Sequence, residues 1–138
     1  NSFDLITLWH VLEHLPDPEE TFKKTFNLLN HSGYLIIAFP NAYSLDKEHY
    51  CESWAGFDVP RHLWHFSPPF LINLASKYNF EFIRSKPLLL DALYISYLSE
   101  KYKGRRFSFL RGIVKGVYFN LRALRSRRYS SLVYVFKK

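Results

Sequence analysis

The sequence predicts a mixed α/β domain, and three observations carry that prediction. Phe3-Asp4-Leu5-Ile6-Thr7-Leu8 is a short apolar run rich in strand formers. Asp17-Pro18-Glu19-Glu20 joins an N-cap carboxylate to a proline at the first helical position, and Phe22, Phe26 and Leu29 follow on one face. Tyr34-Leu35-Ile36-Ile37-Ala38-Phe39 is too continuously apolar to be half exposed, which suggests a parallel strand covered on both faces. Strand, helix and strand at this spacing form a right-handed crossover unit.

Taken in order, the first run reads as a buried strand and the helix runs from Pro18 to about Asn30, where Ser32-Gly33 stops it. Pro40-Asn41 ends the second strand. Residues 41–66 show little periodicity but hold Tyr43, Tyr50, Trp54, Phe57 and Trp64, so they read as a long functional loop. Ser67-Pro68-Pro69 caps a second helix with Phe70, Leu71, Leu74 and Tyr78 inward, ending near Asn79, and Phe80 to Ser85 is a further strand. From Leu88 to Arg128 the pattern is helical, broken near Lys103-Gly104. Its second half carries Phe109, Leu110, Ile113, Val114, Val117, Tyr118, Leu121 and Leu124 as an apolar stripe opposite Arg111, Lys115, Arg122 and Arg125. Ser131 to Phe136 closes the chain as a strand able to return to the sheet. No internal repeat or low-complexity segment is present.

At 138 residues, with 48% hydrophobic and 22% charged positions, the chain has the composition of one globular domain rather than a disordered segment. The single Cys51 forms no internal disulfide and has no partner at metal-ligand spacing, so it is read as structural in a reducing compartment. No apolar run reaches the roughly 18 residues of a membrane span, and no leader opens the sequence; a cytosolic address is the expectation. Without a Met, and opening on Asn1-Ser2-Phe3-Asp4, the sequence reads as part of a longer protein. Charge is divided unevenly. Residues 1–100 hold seven cations and twelve anions, net −5, whereas residues 101–138 hold twelve cations and no anion, net +12. Such a segment attracts anions through its summed field, or is simply a solvated helix face.

Two clusters carry candidate chemistry. His10-Val11-Leu12-Glu13-His14 matches H-x-x-E-H, a zinc-peptidase signature that requires a continuous helix through both histidines. Here a strand ends at Leu8 and Pro16 leaves room for little more than a turn, so the peptidase reading fails on context. The second cluster is Asp58-Val59-Pro60-Arg61-His62-Leu63-Trp64-His65-Phe66. Arg61 can clamp an anionic group, and a histidine beside Asp58 can act as a base near neutral pH. Both clusters lie beyond strand ends on one edge of the expected sheet, where ligands of open α/β sheets bind. That convergence singles out His10, Asp58, Arg61, His62 and His65, although any one of the histidines taken alone is better read as a hydrogen-bonded structural residue.

The runs F-D-L-I-T-L-W-H-V-L-E-H-L-P-D-P, S-G-Y-L-I-I-A-F-P-N and D-V-P-R-H-L-W-H-F-S-P, spanning residues 3–85 with the closing S-L-V-Y-V-F-K-K, resemble the second half of class I S-adenosylmethionine-dependent methyltransferases. The third run points to a bacterial subgroup. The resemblance implies a seven-stranded Rossmann-like sheet whose fourth to seventh strands lie in this chain, ordered four, five, seven, six with the last antiparallel. Residues 1–138 would then form one partial methyltransferase domain, with residues 88–128 a basic helical insertion before the last strand. The family's glycine-rich loop and ribose-binding acidic residue would precede Asn1, so the chain alone is expected to be inactive and to need the N-terminal half.

By position, Leu8, Trp9 and His10 match residues lining the cofactor's methionine end, where an aromatic face favours a sulfonium. His10, Glu13 and His14 match a segment that reads E-x-x-E-H and binds a divalent ion in some methyltransferases of small RNA and of quinone precursors. With His10 in place of the first Glu, such a set would prefer a transition metal, with His62 or His65 as fourth ligand; a structural role for Glu13 and His14 is the simpler reading. The resemblance thus implies methyl transfer to an unidentified small-molecule or polymer acceptor, with His10, His62 or His65 as base, Arg61 orienting the acceptor and Asp58 fixing a histidine tautomer. The rival is an interaction module whose basic helix docks on anionic lipid or nucleic acid. A third option packs the stripe on the sheet or, as a homodimer, on a second subunit, with Gly112 and Gly116 allowing close helix approach.

Overall fold

The computed structural model describes residues 2–138; Asn1 lies outside the described residues. In chain order the elements are β1 (Phe3–Trp9), α1 (Pro18–Leu28), β2 (Leu29–Pro40), α2 (Leu45–Tyr50), α3 (Pro68–Lys77), β3 (Glu81–Pro87), α4 (Leu89–Tyr102), α5 (Ser108–Ser126) and β4 (Ser131–Lys137). One four-stranded sheet has the order β1-β2-β4-β3. β1 and β2 run parallel, with Trp9 opposite Ala38, and β4 inserts antiparallel between β2 and β3. The expected crossover unit and returning last strand are both present, and the tips of β1 and β2 lie side by side.

Local chemistry explains α1. The Asp17 carboxylate accepts from the Glu20 amide at 2.9 Å, and Pro18 fills a position whose N–H would be orphaned in any case. The helix stops two residues before the expected Asn30, because Leu29 turns extended and pairs with Phe3 while its side chain enters the core. Ser32-Gly33 therefore lies inside β2, where Ser32 takes a left-handed conformation, and does not act as the helix stop. Helix α2 escaped the sequence reading because six residues are too few to show a period; Ser44 caps it by accepting from the Lys47 amide.

The main core lies on one sheet face. Leu35, Ile37 and Phe39 of β2 and Tyr134 and Phe136 of β4 pack with Phe22 of α1 and Leu71, Leu74 and Ala75 of α3. Phe70, expected inward, is exposed, since α3 presents only Leu71, Leu74 and Ala75 to the core. The opposite sheet face corrects a second expectation. Phe3 and Leu5 of β1 and Tyr34 of β2 are exposed, so the N-terminal halves of these strands are open on this face, while Ala38 near the end of β2 is buried on it. Among the described residues, no strand pairs with the outer edge of β1.

The helical pattern read over residues 88–128 and broken near Lys103-Gly104 is the pair of packed helices α4 and α5, but α5 is rotated relative to the packed-stripe reading. Its buried residues are Gly112, Gly116, Phe119 and Ala123, while most of the apolar stripe faces outward. The glycines decide this. A Cβ on Gly112 would stand 2.3 Å from Tyr97 Cα, and one on Gly116 2.6 Å from Leu93 Cα, so only glycine permits this backbone approach. Glu100, buried between the helices, receives Arg111 Nε at 2.7 Å, Lys115 Nζ at 3.0 Å and the Tyr50 hydroxyl at 3.2 Å. Burial pushes its carboxyl up, but the hydrogen bonds from Arg111 and Lys115 outweigh that and hold it at about 2. No helix among the described residues is long and apolar enough to cross a membrane.

Candidate functional site

Beyond the tips of β1 and β2 the chain builds a cavity of about 360 Å³. The ladder extends one residue past β1, where the His10 amide donates to the Ala38 carbonyl at 2.9 Å. His10 then adopts φ 52°, an uncommon conformation for a residue with a Cβ, and the chain turns into a single 3-10 turn at Leu12–His14. The 58–66 loop is tied back onto this turn. The Leu63 and Trp64 amides both donate to the Glu13 carbonyl, the Trp64 indole donates to the Leu15 carbonyl, and His14 Nδ1 donates to the Arg61 carbonyl at 2.9 Å. These bonds bring the two sequence clusters together, 50 residues apart in the chain.

Side-chain partners fix the protonation of the histidines. His62 Nδ1 lies 2.9 Å from the Gly56 carbonyl, which can only accept, so the proton sits on Nδ1 and Nε2 keeps a lone pair. Burial lowers the basicity of this ring despite that bond and the carboxylates nearby. Glu13 Oε1 and Asp58 Oδ2 stand 3.9 and 3.8 Å from His62 Nε2. His10 is the opposite case. Its Nδ1 faces Glu13 at 3.3 Å and its Nε2 faces Asp91 at 3.2 Å, and these partners, Asp91 first, raise it to about 9. Carboxylates on both nitrogens favour the imidazolium near neutral pH, whereas the expected role of His10 as a base needs the free ring. The Arg61 guanidinium donates to the Asp58 carboxylate and is otherwise exposed, so Asp58 is shared between Arg61 and the His62 edge.

His10, Asp58, Arg61 and His62 line the cavity, as do His14, Gly56 and four residues of α4: Asp91, Tyr94, Ile95 and Leu98. Four sequence-derived residues, Leu8, Trp9, Glu13 and His65, do not. Leu8 packs against the core. Trp9 is exposed outside the cavity lining. His65 donates from Nε2 to the Phe57 carbonyl at 3.0 Å and stacks edge-on against the Phe57 ring, which leaves it outside as well. Asp91 escaped notice because an acidic residue in the first turn of a helix reads as a dipole partner. Nothing local marks it as the counter-charge of a histidine 81 positions earlier. Cys51 is an exposed free thiol and does not line the cavity.

Glu13, His14 and His62 each offer a ligand atom within 4.8 Å of the others. The donor chemistry fits a transition metal: both histidines anchor Nδ1–H on a carbonyl, the arrangement that aims Nε2 at an ion, and Glu13 Oε2 is buried without a partner. His10, expected in this set, is instead engaged by Glu13 and Asp91. For a sulfonium cofactor the fit is partial. The exposed Trp9 ring at the tip of β1 offers an aromatic face. None of the five glycines, at 33, 56, 104, 112 and 116, directly follows β1 to form a phosphate- or ribose-cradling loop there.

A family described as a methyltransferase domain matches residues 1–85. No curated protein matches the sequence. A SAM-dependent methyltransferase of Thermotoga maritima superposes with a TM-score of 0.63 at 19% identity, covering 99% of this chain and 56% of that one. Phosphoethanolamine N-methyltransferase 2 of Haemonchus contortus, solved with S-adenosyl-L-methionine, gives 0.59 at 17% identity over 99% and 33%. The cyclase SpnF gives 0.61 at 12% identity over 100% and 50%. The chain thus spans about half the length, or less, of these similar structures, and its fold also serves chemistry other than methyl transfer. A family match over residues 1–85, joined to this sheet order, places the chain in the methyltransferase-domain family, with the fold of class I S-adenosylmethionine-dependent methyltransferases.

Proposed function

We propose that this chain forms the acceptor-side wall of an S-adenosylmethionine-dependent methyltransferase and that His62 is its base. The observation that carries the reading is the His62 ring itself: Nδ1–H is anchored on Gly56, burial favours the neutral form, and Nε2 faces the cavity beside two carboxylates. Bound S-adenosylmethionine supplies an electrophilic methyl group on a sulfonium. His62 Nε2 takes the proton of an acceptor hydroxyl or amine held in the cavity, and Glu13 and Asp58, just under 4 Å away, stabilise the imidazolium that results. The exposed Arg61 guanidinium, held at one side by Asp58, orients an anionic group on the acceptor, while Tyr94, Ile95 and Leu98 line the cavity's α4 side.

The residues that hold adenosine and ribose belong, on this reading, to polypeptide that adds strands to the outer edge of β1. The unpaired edge, the exposed Phe3, Leu5 and Trp9, and the partial coverage of the similar structures support it. Calorimetry with S-adenosylmethionine tests it: the 138-residue chain binds weakly or not at all, and the chain joined to the N-terminal half of such a domain binds. Equal, tight binding by both would refute it. In the joined enzyme His62→Asn removes most turnover while leaving cofactor binding intact, and unchanged turnover would exclude His62 as base.

A second reading is favoured by the orphaned Glu13 Oε2. Glu13, His14 and His62 hold a divalent transition metal, which would act as Lewis acid toward the acceptor oxygen. Chelation separates the two: activity that survives exhaustive chelation assigns His62 as base, whereas activity lost and restored by zinc or manganese assigns the metal.

A further inference from the structure

The outward face of α5 is the largest feature that the methyltransferase reading leaves unused. Leu110, Val114, Val117, Leu121 and Leu124 recur every three or four residues along one side of the helix, and they are between 46% and 63% exposed. Contiguous apolar surface on this scale marks an interaction site, whereas scattered single residues would not. Its flank is cationic. Arg111, Lys115, Arg122 and Arg125 border the stripe, and residues 101–138 contain no Asp or Glu at all. Of the twelve cations there, only Arg111, Lys115 and Arg128 meet a carboxylate among the described residues.

These features select among occupants. The spacing would suit a second α5, but helix pairing then sets like-charged flanks against each other with no acidic residue to bridge them. A nucleic acid would satisfy the cations and find the exposed Phe109 and Tyr118 to stack on, but it would leave the five aliphatic side chains in water. A bilayer interface with anionic headgroups meets both demands at once, since apolar side chains enter the acyl boundary while arginines reach the phosphates. A groove bordered by Leu45, Leu121, Leu124, Arg122 and Arg125 runs along the same helix and pairs apolar walls with two guanidinium groups.

We propose that α5 is a peripheral docking helix for anionic membrane, lying in the interface plane on its Leu110–Leu124 face. The core does not depend on these side chains, because the buried side of α5 is Gly112, Gly116, Phe119 and Ala123. The variants that test it are thus expected to fold, and circular dichroism verifies that. Co-sedimentation uses vesicles of phosphatidylcholine alone and of phosphatidylcholine mixed with phosphatidylglycerol. The chain partitions onto the anionic vesicles and scarcely onto the neutral ones. Leu110→Gln with Leu121→Gln lowers the partition coefficient by about tenfold or more, and Arg122→Gln with Arg125→Gln lowers it by a similar factor. A Leu121→Trp reporter shifts its emission to the blue on anionic vesicles. The proposal is overturned if neutral and anionic vesicles retain the chain equally. It is also overturned if the Leu→Gln pair leaves retention unchanged, or if that pair abolishes a dimer or an RNA complex in a chain that never binds vesicles.

Discussion

Helices α1 and α5 carry similar sequence signals and meet opposite fates. Each shows apolar residues at helical spacing, yet Phe22 of α1 lies in the main core while Leu121 of α5 is 62% exposed. The difference resides in what faces the other side. α1 has a capped start at Asp17 and a single apolar face, so the sheet is the only surface it can cover. α5 has two usable faces, and the flatter one, with Gly112 and Gly116, wins the contact with α4 because close backbone approach brings more atoms into van der Waals range. An apolar stripe shows that a face avoids water; it does not say which neighbour provides the cover.

This contrast can be broken by substitution, beginning where the largest effect is expected. Phe22→Ala removes a fully buried ring that meets Phe80 and Phe136 edge-on, and should cost about 3–5 kcal/mol in chemical denaturation. Gly112→Ala forces α4 and α5 apart and should cost about 1–3 kcal/mol, the range of overpacked cores. Leu121→Ala, a deletion from the exposed stripe, should stay within about 0.5 kcal/mol of the parent. If Leu121→Ala cost as much as Phe22→Ala, the stripe would be part of a core and the orientation of α5 would be wrong.

The α4–α5 contact also carries a pH signature. Glu100 is held at about 2, below the usual carboxylate value of an unfolded chain. A depressed carboxylate stabilises the fold above the unfolded value near 4.5 and loses that contribution as pH falls toward 2. Thermal melts between pH 5 and 2 should therefore show acid destabilisation that Glu100→Gln flattens. A variant with the parent's full acid slope would mean that Glu100 is unpaired in solution.

The first half of the fold is legible because its determinants are local. Asp17-Pro18 starts α1, the run from Tyr34 to Phe39 marks β2, and Ser131 to Phe136 marks β4. What escaped was either too short or too distant. α2 is shorter than two periods, and the early end of α1 follows from a pairing of Leu29 with Phe3 that no window around Asn30 contains. In the site, the joining of the His10–His14 turn to the 58–66 loop follows from strand ends on one sheet edge. The separate states of His10 and His62 do not, because they depend on Asp91 from α4 and on the Gly56 carbonyl. Sequence names the titratable groups, and the partners that divide them into cation and base arrive only with packing.

That division is the centre of the account, and nitrogen-resolved imidazole NMR on the chelator-treated chain at neutral pH measures it directly. The expected result is His62 with its proton on Nδ1 and a bare Nε2, beside a His10 protonated on both nitrogens. A neutral His10, or a His62 protonated on Nε2 alone, would contradict the cavity as described.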